Sequence, residues 1–556
     1  MGVYLNPGNE SFRMALNSEI YVDKTGMIRY LNTLVGTKQR YVSVSRPRRF
    51  GKTTAADMIG AYYDRTADSR ELFERRKLTE CETFKRAGGE ELSWDACLGK
   101  YDVLRLVMTR FFKEYVPAEQ SLSRLQRLVF RDFRKAYPTA DYFDEENLLQ
   151  TIEDAYAEED RQIVIIIDEW DAVFRARPMD KDGQKLYLDF LRDLLKDNEH
   201  IALAYMTGIL PIKKYGQHSA LNMFDEYSMM APMQLAPFTG FTEGEVKELC
   251  AEFEMGYGEI SDWYDGYLVS DRIPIEKRKA YRQGDLGGCQ IAIYSPESVV
   301  KAMHNGYIRN YWNKTETYEA LAEYIRMDYD GLKDAVALLM DGGRLKIDTS
   351  TYQNDMTTFH SRDDVLSLLI HLGYLGYDDE RGEVFIPNRE ILAEFMTSTK
   401  SEEWTATFRA FAASQKLLEA TWAKDEAAVA EYLEDAHNQA GNRTYNDEAA
   451  LSYGIRLAYY AAQKYYTTVL ELDSGKGYAD IAYLPSPKYP NIPALLVELK
   501  YNKNVETALS QIKRQRYDER LGHYKGNILL VAIDYDRRKK NTSAEFKHHK
   551  CRIEEA

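Results

Sequence analysis

The chain has 556 residues, 44% of them hydrophobic and 29% charged, which is material for about three to four domains with buried cores. A net charge of −15 excludes a protein that coats nucleic acid through bulk basicity, although a local basic patch suffices for contact. The five scattered cysteines form no CxxC pair, which excludes a disulfide framework or zinc ribbon and fits a reducing compartment. The opening MGVYLNPGNE carries neither a basic region nor an apolar core of a secretory signal, and no apolar run approaches the ~20 residues that span a bilayer. A cytoplasmic chain with no membrane partner is expected.

Over residues 1–240, short apolar runs alternate with longer periodic segments. Tyr41–Ser45, Val103–Met108, Ile163–Ile167 and Ile201–Thr207 read as buried strands, and Leu186–Leu195 reads as helix. The alternation predicts an α/β domain with a largely parallel sheet.

Val42-Ser-Val-Ser-Arg-Pro-Arg-Arg-Phe-Gly-Lys-Thr-Thr54 leaves the first strand and opens a helix. Gly51-Lys52-Thr53 has the form of the end of a Walker A loop. Gly51 lets backbone approach phosphates, Lys52 reaches the β- and γ-phosphate oxygens, Thr53 ligates Mg²⁺, and the amides at the helix start, Thr54 among them, donate to an anion. The first glycine of the pattern is Arg46 here, followed by the stiff Pro47. A GKT triplet after a strand also occurs by chance. The second element decides: Ile163-Val-Ile-Ile-Ile-Asp-Glu169 is an apolar strand ending in two carboxylates, the Walker B pattern. Asp168 would hold Mg²⁺ and Glu169 would polarise the attacking water. Thr207, ending a further strand, stands where a γ-phosphate sensor belongs. Arg46, Arg48 and Arg49 could contact phosphates, serve a neighbouring subunit, or solvate the loop.

Residues 241–400 are expected to form a helical lid with a winged-helix-like piece. Phe241–Phe253 and Asp363–Leu372 read as helices, Gly373–Leu375 as a turn, Gly376–Pro387 as a strand pair, and Arg272–Cys289 as loop. Residues 401–556 begin with a helical lead-in, Trp404–Leu433. An order then follows of helix (Glu448–Ala462), strand (Tyr466–Glu471), glycine turn, strand (Ala479–Tyr483), proline-rich loop (Leu484–Pro493) outside the sheet, strand (Ala494–Lys500), helix (Val505–Arg520) and strand (Asn527–Ile533). A second basic cluster runs from Lys513 through Arg537, Arg538, Lys539 and Lys540 to Lys550.

Within this order, Glu498 and Lys500 share one face of a strand, and Asp480 on a neighbouring strand can meet them. Two carboxylates make an oxygen-rich pocket suited to Mg²⁺, which activates water and neutralises a scissile phosphate. Lys500 would orient that water or stabilise the transition state, Glu448 would bind metal or its water, and Gln511 would position water or phosphate. The same ExK spacing on an exposed ribbon is an ordinary salt bridge; here it closes the apolar run Ala494–Val497, the end of a core strand.

With these residues in view, the chain resembles the bacterial proteins that join an AAA-ATPase-like domain to a C-terminal PD-(D/E)xK nuclease domain. The resemblance rests on Tyr21-Val-Asp-Lys24, Arg46-Pro-Arg-Arg-Phe-Gly-Lys-Thr53, Ile167-Asp-Glu-Trp-Asp171, Thr207-Gly-Ile-Leu210, Tyr294-Ser-Pro-Glu-Ser298, Tyr311-Trp312, Gly373-Tyr-Leu375 and Val497-Glu-Leu-Lys500. It implies a P-loop NTPase domain with a parallel sheet, a helical and winged-helix-like middle, and a restriction-endonuclease-like α/β domain. By that resemblance Arg46 is a family feature, not decay. The implied cofactors are ATP and Mg²⁺. The implied partner is nucleic acid, DNA before RNA, with homo-oligomer assembly left open and a role in defence or mobile-element biology suggested by analogy. The alternative is a nucleotide-dependent switch or scaffold whose C-terminal domain binds nucleic acid or a partner without significant cleavage. A helicase-like motor lacks a second motor domain.

Overall fold

The computed structural model describes residues 2–86, 88–212, 221–271, 289–312, 317–327, 329, 331–399, 413–440, 451–452, 455, 458–459, 461–462, 465–473, 478–485, 489, 491–515, 527–536 and 548–556. They fall into two compact units, Met1–Tyr324 with Lys346–Phe395, and Ile325–Leu345 with Met396–Ala556. No helix among the described residues is long and apolar enough to cross a membrane.

The first unit is built on strands β1 (Tyr41–Ser45), β2 (Asp102–Val107), β3 (Ile163–Asp168), β4 (Ile201–Gly208) and β5 (Asp225–Tyr227). They lie in the order β2-β3-β4-β1-β5 and every neighbouring pair is parallel. The sequence explains this: β1, β3 and β4 are buried along their whole length, as strands covered on both faces must be. The expected strands are thus present to within a residue or two, and the predicted helix over 186–195 belongs to a longer one, Lys181–Leu195. Register brings the carboxyl ends together, with Val107 beside Asp168 and Val44 beside Thr207. In open α/β sheets that edge is where ligands bind.

Helices α1 (Glu10–Leu16), α2 (Gly26–Leu34) and α3 (Lys52–Tyr63) share one core with Val42, Val44, Val164, Ile166 and Tyr205. Tyr62, Tyr63, Tyr205 and Tyr227 pack within it. Tyr63 donates to Asn32 Oδ1 at 2.7 Å while Asn32 donates to the Tyr62 hydroxyl at 2.9 Å, so rings fill the core and their hydroxyls stay satisfied. Helices α4 (Ala118–Ala136) and α6 (Lys181–Leu195) pack on each other, and between β3 and α6 lies the short α5 (Ala172–Ala176).

Residues 241–253, expected as a single helix, open with strand β6 (Phe241–Thr242) before α7 (Glu243–Glu252). Thr242 and Glu245 form a reciprocal capping box, which ends the strand and starts the helix at one residue. With β7 (Tyr267–Ser270) and β8 (Gln290–Tyr294), β6 makes a three-stranded antiparallel sheet, so this region is less helical than expected. Of the expected loop Arg272–Cys289, residues 272–288 lie outside the described residues. Helix α8 (Pro296–Asn305) follows β8. Further on, α9 (Arg362–Leu372) and the hairpin of β9 (Gly376–Asp378) and β10 (Glu383–Phe385) supply the helix-plus-hairpin piece, and α10 (Arg389–Ser398) comes after it.

Gly373 ends α9 with φ +88°, a conformation that L side chains rarely adopt. A Cβ placed there would lie 2.8 Å from Pro47 Cβ and 3.0 Å from Trp312 Cη2. The loop Arg46–Gly51 is therefore pressed against the end of α9 at a point only glycine fits. Gly373→Ala is expected to lose about 2 kcal/mol or more of stability and to weaken nucleotide binding, checked by thermal unfolding and by titration with ADP.

In the second unit, residues 413–422 and α11 (Glu426–Ala440) are helical, within the expected Trp404–Leu433 lead-in and beyond it; residues 400–412 lie outside the described residues. Strands β11 (Tyr466–Asp473), β12 (Tyr478–Pro485), β13 (Ala494–Tyr501), β14 (Ile528–Tyr535) and β15 (His549–Glu555) form a mixed sheet in chain order, with only β13 and β14 parallel. Helix α12 (Val505–Gln515) makes the crossover between those two. Two expectations need correction. Pro485 was placed outside the sheet but is the last residue of β12, opposite Tyr466 at the outer end of the strand pair, where a missing N–H is tolerated. Strand β15 was read only as part of a basic tail. Glu434 on α11 accepts bonds from the backbone N–H of both His548 and His549, which pins the start of that strand.

Candidate functional site

At the end of β1 the chain enters the Arg46–Gly51 loop, in which Arg49 (φ 70°) and Gly51 (φ 81°) adopt left-handed backbone. Such turns direct successive amides inward and build an anion cradle at the start of α3. Lys52 is almost wholly buried and donates to Arg46 O at 3.0 Å and Pro47 O at 2.7 Å. Burial pushes its ammonium down to about 8, against the pull of Asp171, Asp168 and Glu169.

Asp168, 1% exposed at the end of β3, accepts from Thr53 Oγ1 at 2.9 Å and from Thr207 Oγ1 at 2.6 Å. The predicted Walker A threonine, Walker B aspartate and sensor threonine therefore meet at one carboxylate. Glu169 turns sharply out of the strand with φ 54° and lines a cavity of about 980 Å³ together with Arg48, Arg49, Gly51, Lys52, Thr53 and Thr54. Arg49 reaches Glu297 on α8 with Nε at 2.9 Å and donates to Tyr311 O at 3.2 Å. Arg48 is exposed at the rim. Arg46 does not line this space. Its guanidinium is buried, donates to Ser45 O and Tyr227 O, and is pushed by burial down to about 10.

Four participants were not anticipated. Arg175 lines the cavity from α5, Asp171 sits fully buried beneath it, and Glu297 faces it from α8. The only sequence signal for Arg175 was its place one turn after Asp171. The fourth is a smaller, mostly apolar chamber of about 180 Å³ that shares Gly51, Thr54 and Pro296 with the larger cavity and is walled by Tyr21, Val22, Phe50, Ala55, Met58 and Phe241. The Tyr21–Lys24 and Tyr294–Ser298 motifs thus border the same cleft.

Glu390 on α10 braces that wall. Its carboxylate accepts from Tyr311 N at 2.6 Å, Trp312 N at 3.0 Å and Ser298 Oγ at 2.7 Å. Burial pushes its carboxyl from 4.5 up to about 7 despite those donors. The folded chain therefore binds more protons than the unfolded chain between those values, and this group's contribution to stability falls as pH rises through that window. Glu390→Gln still accepts from both amides and is expected to remove that slope. Glu390→Ala orphans two buried donors and is expected to cost ~2–4 kcal/mol, measured by denaturant unfolding at about pH 5 and about pH 8.

In the second unit, Ala494, Leu496, Glu498 and Lys500 share the face of β13 that packs under α12. The antiparallel register with β12 pairs Ile481 with Val497, which brings Asp480 near the end of β13 that carries Glu498 and Lys500. Asp480 Oδ2 accepts from Leu499 N at 2.6 Å, and Lys500 Nζ donates to the fully buried Glu498 at 2.8 Å. Gln511 lies half-buried on α12; Glu448 lies outside the described residues. A further carboxylate, Asp534, is 3% exposed and stands beside Lys500 in the parallel register. It follows the apolar run Ile528–Ile533 within β14, as Asp168 follows Ile163–Ile167 in β3. No cluster of three or more His, Cys, Asp or Glu side chains among the described residues forms a ready-made metal cage. In the first unit Thr53 Oγ1 and Asp168 Oδ2 lie 2.9 Å apart, the sparse pair of oxygen donors suited to Mg²⁺, which keeps most of its waters.

Residues 8–217 match the family model described as a predicted AAA-ATPase, and residues 452–545 match the PD-(D/E)XK nuclease superfamily. The chain carries an AAA-ATPase-like domain towards its N-terminus and a PD-(D/E)XK nuclease domain towards its C-terminus. The P-loop cavity lies in the first of these domains and the Asp480–Glu498–Lys500 cluster in the second. Together they support nucleotide-dependent nuclease activity in general. No curated protein matches the chain. Similar solved structures include the Aeropyrum pernix ORC1 protein in complex with DNA, at 12% identity over 69% of this chain and 92% of that chain, with a TM-score of 0.22. The Aeropyrum pernix ORC2 protein in ADPNP–ADP complexes is similar at 12% identity over 70% of this chain and 93% of that one, with a TM-score of 0.21. Those scores are too low to map any residue.

Proposed function

We propose that the AAA-ATPase-like domain binds and hydrolyses ATP and that the PD-(D/E)XK domain cuts phosphodiester bonds in nucleic acid, DNA before RNA, under nucleotide control. The observation that carries the reading is that each unit holds buried carboxylates beside a lysine at a sheet: Asp168 with Lys52, and Glu498 with Lys500.

The nucleotide cavity fits its ligand in charge and shape. Arg48, Arg49, Lys52 and Arg175 line it against Glu169 and Glu297, so it carries a surplus of cations for phosphates. The apolar chamber beside Gly51 and Thr54 takes the base. When bound, Mg²⁺–ATP supplies the transferable phosphoryl group. Lys52 leaves the loop carbonyls for phosphate oxygens, Thr53 and Asp168 hold the cation, Thr207 reports the terminal phosphate through Asp168, and Glu169 accepts the proton of the attacking water. In the nuclease domain Asp480 and Glu498 would hold Mg²⁺, which supplies Lewis acidity toward a scissile phosphate. Lys500 orients the nucleophilic water, with Gln511 and Glu448 as its further positioners.

A second reading is favoured by one observation: Asp480 and Glu498 are both engaged by donors of the protein itself, Leu499 N and Lys500 Nζ. In that reading the domain binds nucleic acid without cutting it. Incubating the purified chain with plasmid, linear and single-stranded DNA and with RNA, with Mg²⁺ or EDTA and with or without ATP, separates the two. Cleavage that needs Mg²⁺ supports the nuclease; retarded but intact nucleic acid supports the binder.

A further inference from the structure

Arg175 has a place that no motif assigns. It sits on α5, immediately after the Asp168-Glu-Trp-Asp171 turn, its side chain is 16% exposed, and it lines the cavity that Lys52, Thr53 and Glu169 also line. One end of its guanidinium is anchored: Nε lies 3.4 Å from Asp171 Oδ2. Asp171 is itself immobile, fully buried and accepting from Ile209 N and Leu210 N at 3.0 Å each. The other end is committed to Glu169, with Nη2 donating to Oε2 at 3.2 Å.

The Glu169 side chain is 35% exposed and turns towards the cavity from left-handed backbone, and Arg175 is the side chain that holds its carboxylate. The neighbouring backbone is equally constrained. Trp170 N donates to Thr207 O at 2.9 Å, and a Cβ on Gly208 would lie 2.5 Å from the Trp170 ring. The turn that carries Glu169 is thus tied to the sensor strand, which leaves the Arg175–Glu169 pair as the contact that a ligand in the cavity would break.

We propose that Arg175 is a positioning residue acting in cis: without nucleotide it restrains Glu169, and a terminal phosphate in the cavity draws its guanidinium away and frees Glu169 to act on water. This rests on the ATPase reading above. It accounts for an arginine placed between a carboxylate and a cationic cavity. The terminal phosphate carries more negative charge than one carboxylate and offers bidentate geometry, so it wins the competition, whereas ADP does not reach the same contact. In the step itself the water oxygen bonds to the terminal phosphorus, the bond to the leaving ADP oxygen breaks, and the water's proton passes to Glu169.

The test compares wild type, Arg175→Ala and Arg175→Lys by calorimetric titration with ADP and with a non-hydrolysable ATP analogue, alongside ATP turnover and thermal unfolding. The expected result for Arg175→Ala is ADP affinity within about twofold of wild type, analogue affinity lower by at least ~10-fold, and kcat lower by at least ~100-fold, with Arg175→Lys recovering part of the analogue affinity. Unchanged kcat and unchanged preference for the analogue over ADP overturn the proposal while leaving the ATPase reading intact. Equal loss of ADP and analogue affinity also overturns it, because a residue that merely braces Asp171 predicts that. If the wild-type chain binds neither nucleotide, the ATPase reading falls and takes the proposal with it.

Discussion

Asp480→Asn is expected to reduce Mg²⁺-dependent cleavage of DNA by at least ~10³-fold while ATP turnover stays within about twofold of wild type. The substitution isolates charge from shape. Asp480 Oδ2 accepts from Leu499 N, and an asparagine carbonyl keeps that bond. What is lost is the charge of one of the two carboxylates, Asp480 on β12 and Glu498 on β13, proposed to hold the metal. Metal binding tolerates such a loss badly, because an amide oxygen carries no net charge to offset a dication. The measurement is a cleavage time course across a Mg²⁺ series, with near-ultraviolet circular dichroism to establish that the sheet is intact. Persistence of wild-type nicking in the variant would end the assignment of this site. Lys500 is a less clean probe, because removing one partner of its buried pair with Glu498 leaves an uncompensated charge worth ~3–5 kcal/mol of destabilisation.

The second large effect is at Lys52. Lys52→Ala is expected to lower ATP turnover by at least ~10³-fold, since the ammonium is the cation placed to follow charge onto the β- and γ-phosphates. Its fold-level role is smaller. The side chain is bonded to two loop carbonyls, Arg46 O and Pro47 O, but burial already drives it toward the neutral form. Removing it relieves that desolvation, so the melting temperature is expected to move by only a few degrees, on the order of 1 kcal/mol. Turnover measured by phosphate release and melting followed in parallel check both halves. If DNA cleavage in this variant no longer responds to ATP, the two domains are coupled as proposed; if cleavage still rises with ATP, the P-loop is not the source of that control.

Much of the nucleotide site was legible because its chemistry is local. A glycine, a lysine and a threonine must be contiguous to wrap a phosphate, and Ile163–Ile167 must be apolar to run buried through a parallel sheet before ending in Asp168. The ExK pair was legible for the same reason, since i and i+2 face one way on any strand. Three positions whose roles the structure decides depend on distant chain. Arg46 stands among arginines that could contact phosphates, serve a neighbouring subunit or solvate the loop; its guanidinium is instead taken by the carbonyl of Tyr227, 181 residues away. Glu297 lies in the Tyr294–Ser298 motif without an assigned role and Glu390 lies in none, yet they hold Arg49 and the Tyr311–Trp312 backbone.

Local sequence therefore determined the strands of the parallel sheet, the phosphate-cradling loop and the same-face pairing of Glu498 with Lys500, because periodicity and backbone conformation act over a few residues. Tertiary structure alone decided which arginine faces the cavity, that Thr53 and Thr207 converge on one carboxylate, and that Asp534 stands beside Lys500. Those outcomes depend on strand order and register, and such long-range pairings leave no periodic trace in the chain.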